Sequence, residues 1–82
     1  MQQIKRSAVS VPSNIAEGAA RRTNKEALQF FYMARGSLSE LDTQIELAKR
    51  LGFFEDVEKI CERLETVSHL LRGLIAHRNF LS

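Results

Sequence analysis

Residues 23–52 read TNKEALQFFYMARGSLSELDTQIELAKRLG, and their pattern decides the fold. Thr23-Asn24-Lys25-Glu26 opens the stretch as a capping box: the Thr23 hydroxyl accepts from the Glu26 amide, and the Glu26 carboxylate reaches back. From Ala27 onward, apolar residues return at Phe31, Ala34, Leu38, Leu41, Ile45 and Ala48, alternating four and three apart without a miss. That spacing keeps all seven on one face of a helix with 3.6 residues per turn. Gly52 stands where a left-handed cap ends such a helix. One helix of about 28 residues is expected, roughly 42 Å long at 1.5 Å per residue. Tyr32, Met33, Gly36 and Leu47 fall off the main stripe, among Gln29, Glu40 and Thr43. A mid-helix glycine costs about 1 kcal/mol relative to alanine. Gly36 therefore reads either as a place where another backbone passes close or as a tolerated surface glycine.

Downstream, Phe53 and Phe54 read as a short apolar connection. Glu55 and Asp56 then suit the positive N-terminus of a further helix. Its stripe is Val57, Ile60, Leu64, Val67, Leu71 and Leu74. Cys61 and Ile75 widen it on one side, and Leu70, Leu74 and Leu81 on the other. An arc this broad calls for more than one packing partner. Upstream, a helix is expected from about Gln2, with Ile4, Ala8, Val11, Ile15 and Ala19 on one stripe. Gln3, Arg6, Ser10, Ser13, Asn14 and Glu17 fall on the opposite face. Pro12 cannot donate to the carbonyl of Ala8 and crowds it, so a kink or break is expected near Val11. Ser10, or Asn14 with Glu17 three residues on, could cap a restart. Gly18 offers flexibility near the end. The whole is an all-α, antiparallel up-down bundle, with residues 1–82 forming a single domain.

Composition narrows the function classes. Eighty-two residues allow only a limited core, so oligomerisation is a natural source of further stability. One cysteine precludes an internal disulfide and suits a reduced, cytoplasmic setting. No apolar run approaches the ~20 residues of a membrane helix, so no membrane partner is expected. No cofactor is implied. His69 and His77 lie eight apart with no ligand at helical spacing between them, and Cys61 sits on the core stripe, so a metal site is not expected. Glu17, Glu40 and Asp42 form no acid–base pair, and Ser7, Ser10, Ser13 and Cys61 have no identifiable base, so an enzyme is not expected.

The charge is unevenly spread. Residues 1–35 carry a net +4 and residues 36–82 a net −2. The candidate nucleic-acid-binding residues are Lys5, Arg6, Arg21, Arg22, Lys25 and Arg35. A basic cluster of this kind holds phosphate backbones without reading sequence, and salt weakens it steeply. The alternatives are head-to-tail self-association and simple solvation of the helix faces.

Residues 6–18, RSAVSVPSNIAEG, resemble the signature of the four-helix-bundle family, also known as the 23S rRNA intervening-sequence proteins. The likeness continues through residues 30–37, FFYMARGS, to Glu40-Leu41, Leu47-Ala48 and Leu51-Gly52. It ends at residues 71–75, LRGLI, and so covers nearly the whole chain. The matching signature and structural positions are Pro12, Asn14, Glu17, Gly18 and Gly36. The resemblance implies an antiparallel bundle assembled as a ring-like homopentamer. It also implies kinship with accessory proteins of diversity-generating retroelements, which bind nucleic acid and a reverse transcriptase through a basic surface. Members of that family begin with a further amphipathic helix before the segment matching Gln2. The three helices here are therefore expected to be equivalent to the last three of four. The functional expectation is a non-catalytic, oligomeric nucleic-acid-binding or scaffold protein with RNA or DNA as ligand. The alternative is a protein-binding accessory module, for example of a reverse transcriptase, that does not itself bind nucleic acid.

Overall fold

The computed structural model describes residues 2–81, with 54–57 described for their backbone alone. Three helices follow one another: α1 (Gln2–Ala19), α2 (Asn24–Arg50) and α3 (Phe54–Leu81), with no strand among the described residues. The all-α antiparallel bundle is as expected. Short connections fold each helix back on the one before it, giving a rod of 44 × 19 × 15 Å. α2 is the middle element. It packs against both neighbours, while α1 and α3 touch each other only weakly.

The reading of α2 holds along its stripe and at one half of its capping box; the Glu26 carboxylate makes no return bond to the Thr23 amide among the described residues. All seven stripe residues from Ala27 to Ala48 are buried. The Thr23 hydroxyl accepts from the Glu26 amide at 3.2 Å, in the N-cap role assigned to it. Gly52 has φ +94°, the left-handed turn for which glycine has no steric cost. One apolar cluster gathers Val11, Ala27, Phe31, Ala34, Leu38 and Leu71; the other gathers Ile4, Leu41, Ile45 and Ala48. Leu64 lies against both and joins them.

α1 departs from expectation at Pro12. The helix runs through it without a break and no restart is capped. Proline forfeits one backbone hydrogen bond, but Pro12 faces solvent while Val11 beside it is buried. Packing on α2 keeps the residues before and after it helical, and tertiary burial outweighs a local preference. The two capping candidates do other work. The Ser10 hydroxyl pairs with that of Ser37 on α2 at 2.9 Å. The Asn14 amide donates to the Ser10 carbonyl at 2.9 Å and to its hydroxyl at 3.1 Å. Ser10 and Asn14 are thus half-buried against α2, and Ser7, not on the expected stripe, is buried; Ala19 of that stripe is exposed.

Gly18 is not a point of flexibility. It is buried in the α1–α2 contact, where a Cβ would lie 2.6 Å from the Phe31 ring and 3.0 Å from the Ala27 carbonyl. Glycine here permits two helices to approach more closely than any side chain would.

α3 begins at Phe54, so the connection is Leu51–Phe53 and Phe54 is already helical. Of the expected α3 stripe, Leu71 alone is buried among the described residues. Ile60, Leu64, Val67 and Leu74 are half-covered, and Leu70 and Leu81 are exposed. The reading of Val57, Glu55 and Asp56 falls outside the described side chains.

Candidate nucleic-acid interface

Local sequence places the basic residues before any tertiary contact does. α1 ends at Ala19, the Thr23 cap starts α2, and the intervening turn carries Arg21 and Arg22. Lys25 follows in the first turn of α2. Arg22 and Lys25 are exposed, and neither pairs with a carboxylate among the described residues. Arg21 is different. Its Nη2 donates to the Glu17 carboxylate at 2.6 Å, one helical turn back. Its guanidinium carbon also stands 4.6 Å from the centre of the Phe30 ring. Arg21 thus clamps the end of α1 to α2, and its charge is partly spent on the protein itself.

Arg35 lies on the flank of α2 that faces α3. Its guanidinium sits 4.7 Å over the Tyr32 ring, and the Asn79 amide donates to the Tyr32 hydroxyl at 3.3 Å. Close by in sequence to that contact, Arg78 Nη1 donates to Asn24 Oδ1 at 2.9 Å and ties the end of α3 to the start of α2. The antiparallel fold therefore brings Arg21, Arg22, Lys25 and Arg35 into one half of the rod. Arg72 and Arg78 of α3 join them there. Neither was anticipated from the sequence, because both belong to the chain half with net negative charge.

Lys5 and Arg6 do not join this group. They sit at the far end of α1, roughly 20 Å of helix away from Ala19 at 1.5 Å per residue. Arg6 instead lines an open polar groove between α1 and α2, with Ser7, Ser10, Ser37 and Glu40. The six sequence-derived bases thus divide into a cluster of four and a separate pair.

The signature positions are structural in their geometry. Pro12 is exposed, Asn14 braces Ser10, Glu17 holds Arg21, and Gly18 receives Phe31. Gly36 is exposed, with nothing among the described residues within 4 Å of where its Cβ would stand, so no described backbone accounts for it. The described residues contain no group of three potential metal ligands. No described helix is long and apolar enough to cross a membrane.

The family model described as 23S rRNA-intervening sequence protein matches residues 1–73, leaving only the last turns of α3 outside. The chain belongs to that family, a family of small helical proteins that is not a known enzyme family. No curated protein matches it.

Proposed function

We propose that this member of the 23S rRNA-intervening sequence family is a non-catalytic, self-assembling protein that binds the phosphate backbone of RNA or DNA. The observation that carries this reading is the half-rod of bases. Arg22 and Lys25 project from the α1–α2 turn with no carboxylate partner among the described residues, and Arg35, Arg72 and Arg78 lie in the same half. Charges held this way exchange condensed counterions for protein contacts, so affinity without base reading is the expected outcome. Labelled single-stranded RNA and DNA, titrated at two salt concentrations, test it. Micromolar binding at low salt that fades at high salt is the expected result. The double variant Arg22→Glu, Lys25→Glu should weaken it with helicity intact. No binding at low salt would overturn the reading.

Self-assembly is supported by apolar surface left open on the single chain: Val9, Met33, Leu47, Leu70 and Phe80 are each more than half exposed. Gly36 stands on the outward face of α2 near Met33, where a neighbouring subunit could approach. Gly36→Leu should lower the mass measured by light scattering, and an unchanged mass would take that face out of the contact. The same apolar surface favours a second reading, a module that docks on another protein such as a reverse transcriptase. It would gain ground if the chain proved monomeric and indifferent to nucleic acid.

A further inference from the structure

The structure assigns a phosphate seat to the groove between α2 and α3, held by the guanidinium groups of Arg35 and Arg72. The inference rests on the nucleic-acid reading above and deepens it by naming where one phosphate docks. The groove encloses about 230 Å³ and is lined from both helices. Arg35 enters from α2 and Arg72 from α3, and Ser39 and Ser68, one helical turn along from each, line the same groove. Leu71 and Ile75 lie behind them. Neither arginine is ion-paired among the described residues. Two guanidinium forks with hydroxyl donors in the same groove suit the tetrahedral oxygens of a phosphate group, and apolar lining strengthens each charged hydrogen bond.

Two further features give the seat direction. Asp42 lines the same groove, two helical turns or roughly 10 Å from Arg35. Beyond it the groove continues past Glu46, Lys49 and Glu65, so carboxylates outnumber bases at that end while bases outnumber carboxylates at the Arg35–Arg72 end. A polyanion is accepted at the Arg35–Arg72 end and repelled from the other. At the accepting end Tyr32 lies under Arg35 and is part exposed, an aromatic face beside the phosphate on which an adjoining base can stack.

The ligand chemistry is a phosphate group, whether free or within a strand, and two arms separate these sources. In the first, the labelled protein is titrated with pyrophosphate and followed by NMR. Shifts centred on Ser39, Ser68 and Arg72 are expected, together with a change in emission from Tyr32, which is the one tyrosine in a chain without tryptophan. The shifts should vanish in Arg72→Gln. Shifts confined to the α1–α2 turn, or none, would overturn the seat. In the second arm, a single-stranded oligonucleotide is titrated into wild type and into Arg35→Gln, Arg72→Gln. Roughly tenfold weaker binding is expected, with a salt slope shallower by about one for each lost phosphate contact. Arg72→Lys, which keeps the charge and loses the fork, should fall between. Circular dichroism confirms that each variant is folded. If wild type binds the strand and the double variant matches it in affinity and slope, the seat is refuted while the basic-surface function stands. If pyrophosphate seats and no strand binds, the seat stands and the nucleic-acid function falls.

Discussion

The two helix contacts made by α2 are built in different ways. Against α1, the fit is one of shape. Gly18 admits the Phe31 ring, Ser10 meets Ser37, and Ile4 packs among Leu41, Ile45 and Ala48. Against α3, the fit is one of area. Only Leu71 of α3 is fully covered among the described residues, its neighbours are half-open, and a groove runs along the contact. The contrast suggests a division of labour. The close contact fixes the register of the fold, while the loose one leaves room between helices where polar and charged side chains remain available to a ligand.

The sharpest way to break this contrast is at the core. Leu41→Ala, at a fully buried site, should cost about 2 to 5 kcal/mol in urea unfolding. Leu74→Ala, on half-covered α3, should cost less than half as much. Equal losses would erase the distinction between the two contacts. Next come the glycines. Gly18→Ala drives a methyl group into a ring that has no exposed surface to swing toward, and overpacking of this kind costs about 1 to 3 kcal/mol. Gly73→Ala on α3 meets open space and should stabilise by about 1 kcal/mol through helix propensity. Shifts of the same sign in thermal melting would sink the shape argument. The smallest effect is at the hydroxyl pair: Ser37→Ala should cost about 0.5 to 1.5 kcal/mol, with Ser10 left half-buried and short of a partner. No measurable change would mean that water replaces the bond freely.

Legibility in the sequence followed the same division. The α2 stripe could be read because each of its seven residues is buried by virtue of helical spacing alone, and Thr23 and Gly52 act on their own backbone neighbourhood. The break expected at Pro12 does not occur, because packing on both sides of it decides where a local rule alone would not. Gly18 was misread because its purpose depends on Phe31, thirteen residues away on another helix. For α3, spacing indicated which residues share a face, but coverage depends on the neighbours, and α1 hardly reaches it. Arg72 was hidden for a related reason. Its partner Arg35 lies on a different helix, and only the antiparallel return of the chain puts the two on one groove. The pair Lys5 and Arg6 was grouped with the turn residues by charge, although the length of α1 keeps them apart.

Because the backbone of α2 lies close to both neighbours and theirs to each other hardly at all, most close backbone approaches link helices adjacent along the chain. Such a topology has low contact order and belongs with proteins that fold within microseconds to milliseconds. It also lets the last helix detach and re-anneal while the first hairpin stays formed. Native-state hydrogen exchange should register α3 as a separate, weaker cooperative unit, opening at lower free energy than the amides of α1 and α2.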